Sequence, residues 1–353
     1  MTKQRVIVND AISARGTSGS ARATDQLATA LALMPGLEVE RLPPPWSRRH
    51  SSALVNAARD GWWDLHGAGR AAGRADLFVS PCNIGRGPRG MPHLLVVYDV
   101  MVFENPEYFD AKFARYFTAL VPYSLRKADR VLTLSEHARK TLLKIAPDTD
   151  IRVVTLPGRD AQHGLAPWPA RPQVLMVGAT EPHKNHVAAI RAVSELRRRS
   201  GVDIGLRIVG PPGRAEPYVR SLMDRHDPMG SWATRQTGLT DAEVDAAYGS
   251  SWLLLQPSLN EGYGLPLVEA CQRGLPVVHS GTGAMSEVMP GGNAMSTGPS
   301  RLADAMEPLL DPTTWARTSR LTLQEAARFS WAQFTARVTE VVRDLLPATQ
   351  SRM

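Results

Sequence analysis

Cysteine is almost missing from this chain: Cys82 and Cys271 are its two copies in 353 residues. They lie far apart and neither has a CxxC partner, which excludes a disulfide framework and a thiolate zinc site. No apolar run approaches the roughly 20 residues that a membrane-spanning helix needs, so an integral helical membrane protein is excluded. The opening segment, MTKQRVIVND, enters a strand-like run at once. It has neither the apolar stretch nor the small-residue cleavage site of a signal peptide, and a cytoplasmic location is expected. No repeat of solenoid period and no low-complexity tract is present. A full GxGxxG followed by its acidic partner is also lacking, which argues against a nicotinamide oxidoreductase.

What is present fits a globular protein of two ordinary domains, since 353 residues exceed one typical core. Hydrophobic residues make up 43% and charged residues 21%, the proportions of a water-facing surface over a packed interior. The formal charge of +7 is uneven, because residues 1–165 carry 22 Lys and Arg against 16 Asp and Glu. Such a surplus suits an anionic membrane surface or a phosphorylated acceptor, or is simply a solvated basic face. The Arg residues are scattered among loops, so no nucleic-acid partner is expected.

Short apolar runs alternate with helix-like segments along the whole chain. In the first half, strands are expected at 5–8, 76–80, 94–97, 130–134 and 151–156. A Gly/Ser loop and an Ala/Leu-rich helix at 21–33 follow the first of them, and an irregular Trp/Arg/Gly stretch reaches residue 74. Residues 157–172, rich in Pro, Gly and Ala, read as a linker. A second series has strands at 173–177, 205–209, 252–256 and 275–279, with a short Thr/Gln run at 235–237. Helices are expected at 187–199, 216–225, 241–248 and 266–273. Continuous apolar strands of this kind belong to parallel sheets buried on both faces, so the fold class is α/β with two doubly wound, Rossmann-like domains. The domain boundaries are set at 1–165 and 166–330, with residues 331–353 forming a last helix that either crosses back onto the first domain or ends the second.

Two loops could carry chemistry. Residues 257–274 (PSLNEGYGLPLVEACQRG) follow a buried strand, with Pro266 suited to a first helical position and Gly274 to the residue past the helix end. Backbone N–H groups of Gly262, Tyr263, Gly264 and Leu265 would then favour phosphate or an oxyanion. Glu261 and Glu269 bracket that loop. Near a diphosphate, a carboxylate is useful for accepting hydrogen bonds from sugar hydroxyls; the plainer alternatives are a turn residue for Glu261 and complementation of the helix dipole for Glu269. Gly178-Ala-Thr-Glu-Pro-His-Lys-Asn185 forms the second loop, where Lys184 could grip a diphosphate as a point charge and Asn185 suits an N-cap. A solvated lysine is the plain alternative.

These residues resemble the donor domain of retaining GT-B glycosyltransferases, the group 1 or family 4 sugar transferases. Glu261 and Glu269, in EGYGLPLVE, are similar to that family's paired glutamates, and residues 177–186 to its strand-loop segment ending in Lys-Asn. The run Thr237-Gly-Leu-Thr-Asp-Ala-Glu243 and residues 274–288 also fit, in order. The resemblance implies that Lys184 contacts the diphosphate, Glu269 the ribose and Glu261 the transferred sugar. Gly16, Gly178, His183, Asn185, Gly238 and the amides from Gly262 to Leu265 complete the implied donor site, and two domains would face a cleft. Asp99 joins Lys184 and Glu261 as a catalytic residue, in a segment that begins Tyr98-Asp99 where many relatives have His-Asp. Leu134-Ser-Glu-His137 is similar to a Ser-Glu segment of the family. Where many relatives carry an Arg beside the donor phosphates, this chain has Ala179 or His183.

The implied activity is retaining transfer of a hexosyl group from a nucleotide diphosphate sugar to a glycan, lipid-linked or small-molecule acceptor. No metal or other cofactor is required for it. Glu181-Pro-His-Lys-Asn185 resembles mannosyltransferase-like members, which implies GDP-mannose, a UDP-sugar being the alternative. A catalytically degenerate protein that binds sugar nucleotides or a partner is the competing reading. Asp148-Thr-Asp150 supplies the Asp-x-Asp of metal-dependent transferases, but it follows Pro147 at a helix-to-strand turn where Asp is ordinary. Trp46, Arg48, Arg49, Trp62 and Trp63 could meet the inner membrane face peripherally, or pack within the domain.

Overall fold

The computed structural model describes residues 3–13, 19–46, 50–51, 53–158, 165, 168–292 and 294–346. The chain divides into two compact units, Met1–Pro157 together with Trp331–Met353, and Gly158–Ser330. The division therefore falls eight residues before the boundary that composition suggests.

In the first unit the strands are β1 (Gln4–Asn9), β2 (Leu37–Leu42), β3 (Leu77–Ser80), β4 (His93–Val97), β5 (Arg130–Thr133) and β6 (Ile151–Val153). They form one sheet in the order β2-β1-β3-β4-β5-β6, every neighbouring pair parallel. β3, β4 and β5 are buried along their whole length, as unbroken Val/Leu/Phe runs require. β2, LEVERL, escapes a search for such runs because it is an edge strand whose charged residues face water.

The stretch expected to be irregular is instead helical: Ala53–Trp62 continues into a π-turn at Trp63–Gly67 and a last turn at Ala68–Ala71. Its glycines are not helix breakers here. A Cβ on Gly67 would lie 2.6 Å from the rings of Trp62 and Trp63, and one on Gly61 would lie 2.6 Å from the Tyr116 hydroxyl. Close ring packing selects them. Trp63 is buried, donates from Nε1 to Asn9 Oδ1 at 2.9 Å and meets Trp46 edge-on, while Arg59 covers the Trp46 face. Trp62 is half exposed; Arg48 and Arg49 lie outside the described residues.

Helix Trp331–Arg343 packs on helix Gly19–Ala32 of this same unit, burying Phe334, Val338, Val341 and Val342. Arg130 fixes it, donating from Nη1 to Val341 O at 2.6 Å and from Nε to Asp150 at 2.7 Å. Asp150 also accepts from Arg152. The second aspartate of the Asp-x-Asp is thus part of an arginine clamp, and no group of three or more His, Cys, Asp or Glu among the described residues could hold a metal ion. No described helix is long and apolar enough to cross a membrane.

The second unit contains β7 (Gln173–Val177), β8 (Gly205–Val209), β9 (Ala233–Gln236), β10 (Leu253–Gln256) and β11 (Val277–His279), all parallel, in the order β11-β10-β7-β8-β9. From β7 the chain builds outward through β8 to β9, then returns to place β10 on the other side of β7. The strand order therefore reverses between β7 and β10, and the carboxyl ends of the strands at a doubly wound sheet's switch point are where such folds bind ligands. Both chemistry-bearing loops leave the sheet at this point. Trp252, fully buried, locks the sheet to the C-terminal helices of the unit by donating to Leu309 O, while its own carbonyl accepts from Trp315 Nε1.

Candidate functional site

The loop after β7 begins at Gly178, whose φ of 146° suits glycine and whose amide donates to Val209 O. A tight turn at Pro182–Lys184 follows, and the helix starts at His186. Asn185 does not cap that helix with its side chain. It takes the left-handed conformation, φ 54°, which asparagine tolerates, and its amide donates to Pro257 O and Thr297 O at 3.1 Å each. Asn185 thus ties the first loop to the second.

Contacts from distant residues hold the loop. Thr180 Oγ1 donates to Glu216 Oε2 at 2.7 Å and accepts from Gly213 N at 2.7 Å, and Arg235, nearly inaccessible, closes on the same Glu216 oxygen. The loops after β7 and β8 also touch backbone to backbone. A Cβ on Gly210, where φ is 144°, would stand 2.2 Å from Gly178 O. Gly210→Ala is therefore expected to lower stability by about 2–3 kcal/mol, combining backbone strain with a clash, and a thermal melt of the variant reads it directly. A melting temperature equal to that of the parent would show that these loops need not approach so closely.

The loop after β10 supplies the partner charge. Lys184 Nζ lies 2.5 Å from Glu261 Oε1, and the same oxygen accepts from Gln256 Nε2 at 2.6 Å and Ser258 Oγ at 2.7 Å. Glu261 is not an exposed turn residue: its side chain is 6% accessible and that of Lys184 is 18%. Burial alone would raise its pKa, but the charge and hydrogen bond of Lys184, with His183 and Ser258 beside it, hold this carboxyl below its ordinary value. Burial, reinforced by the Lys184 charge, lowers the pKa of His183, whose carbonyl accepts from Leu259 N. The first turn thus carries a cation toward the second loop, with a neutral imidazole beside it.

A third loop, after β11, fixes the second from behind. Ser280 Oγ and Thr282 Oγ1 both donate to Ser258 O, and Ala284 N donates to Glu261 O. A Cβ on Gly283 would lie 2.4 Å from both Asn260 Oδ1 and Glu261 O. Gly262 and Tyr263 are buried, and Gly264, φ 93°, opens the helix Leu265–Cys271. That helix has seven residues, not the eight anticipated.

Glu269 sits beyond the first turn of the same helix, among the buried Leu267, Val268, Ala270 and Cys271. It is itself buried, and its Oε2 accepts from the Tyr248 hydroxyl at 2.7 Å. A carboxylate does not occupy such a position for dipole complementation alone, since burial costs it solvation. Within the second unit, Gly238 is not joined to this group. Gly238 is an exposed turn glycine, φ 71°, at the end of β9, two strands from β7. Asp99 belongs to the first unit, where Oδ1 accepts from Met101 N at the start of the helix Met101–Glu104. Its neighbour Tyr98 is buried, and its hydroxyl pairs with Thr24 Oγ1 at 2.9 Å; burial raises the phenol well above the ordinary range, so it stays neutral. Gly16 lies outside the described residues.

Sequence reading missed Gln256, Ser258, Ser280 and Thr282. Each is a polar residue at or just past a strand end, which is a usable signal, but that Gln256 and Ser258 donate to Glu261 while Ser280 and Thr282 donate to the Ser258 carbonyl appears only in the folded structure. Glu216 and Arg235 gave no signal, since one opens the helix after β8, the other lies on β9, and they meet only in the folded unit.

Residues 164–313 match the family described as glycosyl transferases group 1. The chain is 25% identical over 267 residues to O-antigen chain mannosyltransferase B of Escherichia coli, covering 69% of this chain and 70% of that protein. It is 28% identical over 205 residues to the serotype-specific mannosyltransferase WbdA of Escherichia coli, but spans a quarter of that protein's length, 25%. Among solved structures, Anabaena Alr3699/HepE in complex with UDP and glucose superposes with a TM-score of 0.71 at 14% identity, covering 97% of this chain and 99% of that one.

Proposed function

We propose that this chain, a group 1 glycosyltransferase with the GT-B fold, moves a hexosyl group, mannose in the first instance, from a nucleoside diphosphate sugar to a glycan or lipid-linked acceptor with retention of configuration. The carrying observation is the Lys184–Glu261 pair, 2.5 Å apart, where the loops after β7 and β10 meet at the switch point of the second sheet. Lys184 is the cation that meets the diphosphate as it departs, and no metal ion is needed for that role. Stabilising the leaving anion is the main electrostatic task of such a transfer, and a preformed charge does it without reorganisation at the moment of reaction. Glu261 accepts hydrogen bonds from hydroxyls of the transferred sugar, and Glu269 from the ribose. Mannose is supported by the mannosyltransferase relatives in Escherichia coli, and GDP rests on the resemblance of Glu181-Pro-His-Lys-Asn185 to mannosyltransferase-like members; UDP is supported by the ligand of the Anabaena structure.

A panel of GDP- and UDP-sugars read by thermal shift tests this. GDP-mannose at 100 times its dissociation constant adds about 2.7 kcal/mol of stability, and chelation by EDTA leaves the shift unchanged. No stabilisation by any nucleotide sugar would remove the proposal, and a response to UDP-sugars alone would replace the donor. Tyr98, buried and neutral in a segment that in many members of the resembled family begins His-Asp, favours a second reading in which the chain binds donors without turning them over. Donor hydrolysis with release of nucleoside diphosphate separates the two.

A further inference from the structure

Tyr248 is the last large side chain of helix Asp241–Gly249 and is completely buried. A buried phenol needs a partner for its hydroxyl, and this one has chosen a buried carboxylate, Glu269, at 2.7 Å. The surroundings immobilise both. The Arg273 guanidinium lies 5.1 Å from the Tyr248 ring centroid, pairs with Asp245 of the same helix, and donates from Nη1 to Glu269 O at 2.7 Å. Arg273 therefore fixes the backbone that carries Glu269 and the ring that holds its carboxylate. Hydrogen bonds to a charged group are short and stronger than neutral ones, so the phenol restricts the carboxylate to one rotamer.

We infer that Tyr248 is a positioning residue for nucleotide recognition: its hydroxyl sets the Glu269 carboxylate in the orientation that receives the two ribose hydroxyls of the donor. The inference rests on the assignment of Glu269 to the ribose. A ribose diol presents two donors at fixed separation, so a carboxylate free to rotate loses part of the bidentate match even though its charge is intact. Donor affinity, not the chemical step, is what Tyr248 controls.

The test measures binding of UDP and GDP, and of their 2′,3′-dideoxy counterparts, to the parent protein, Tyr248→Phe and Glu269→Gln by calorimetry, with steady-state rates alongside. Phenylalanine keeps the ring and its stacking on Arg273. Tyr248→Phe should weaken the ribonucleotide that binds about tenfold, raise the donor KM similarly, leave kcat within about twofold, and leave dideoxy affinity unchanged. In a Glu269→Ala background the same change should cost nothing further. Glu269→Gln keeps the volume and an acceptor for the phenol, and should lose ribose discrimination while staying folded, so the inference remains testable if Tyr248→Phe does not fold. Equal losses for ribo and dideoxy nucleotides would reduce Tyr248 to a structural role and overturn the inference. If the parent protein bound ribo and dideoxy nucleotides alike, the ribose assignment of Glu269 would fall first and this inference with it.

Discussion

Lys184→Ala should lower kcat/KM for sugar transfer by about 10²–10³, corresponding to roughly 3–4 kcal/mol of lost transition-state stabilisation. The size follows from the position of the charge. Lys184 is largely shielded from water, and its Nζ is held 2.5 Å from a buried carboxylate, so its direction is set before any ligand arrives. A lysine in open solvent would be screened and would spend rotamer entropy to find the same geometry. Removing it also leaves Glu261 buried without its cation, an arrangement that ordinarily costs about 3–5 kcal/mol. Two features soften that loss: Gln256 and Ser258 still donate to the same oxygen, and the carboxyl can take up a proton. Rates are therefore to be measured over a range of donor concentrations on variant shown by circular dichroism to be folded. Rates within twofold of the parent protein would remove Lys184 from the chemistry.

Glu261→Gln should reduce transfer about 10²-fold and change how stability responds to acid. For the rate, the amide keeps the shape but halves the acceptor capacity offered to sugar hydroxyls, and no longer holds Lys184 by charge. For stability, the sign follows from the depressed carboxyl. Its folded pKa lies below the ordinary value of 4.5, because Lys184 and the neighbouring donors outweigh burial. The charged form thus contributes stability that is present above that ordinary value and is lost as pH falls through the folded one. Melting temperatures of parent and variant should differ most near neutrality and converge below about pH 4.5. A constant difference across that range would mean that the ionisation of Glu261 is not coupled to folding.

The site is legible in the sequence to the extent that its residues are local. Glycine, proline and a flanking strand mark each loop, so Lys184 and Glu261 could be named with the elements that carry them. Their partners could not. A turn residue is the plain alternative for Glu261 in the sequence because a glycine-rich loop usually faces water; here its side chain is buried, and Ser280 and Thr282 of the β11 loop donate to Ser258 O beside it. Asn185 reads as an N-cap because it precedes a helix, yet its amide is occupied by two carbonyls contributed from 72 and 112 residues away. The helices of residues 53–71 were hidden for a related reason, since Gly61 and Gly67 look like breakers until the rings that crowd them are in place.

By itself, the sequence determined the alternating parallel architecture and the two loops that hold the charged residues. Periodicity, strand-end glycines and helix caps act within a dozen residues and are written in order along the chain. Only the tertiary structure decided which of those residues share a site. The strand order β11-β10-β7-β8-β9 places β10 against β7 across 75 intervening residues. That single adjacency turns an isolated lysine and an isolated glutamate into a buried ion pair, and long-range packing of this kind leaves no periodic trace in the chain.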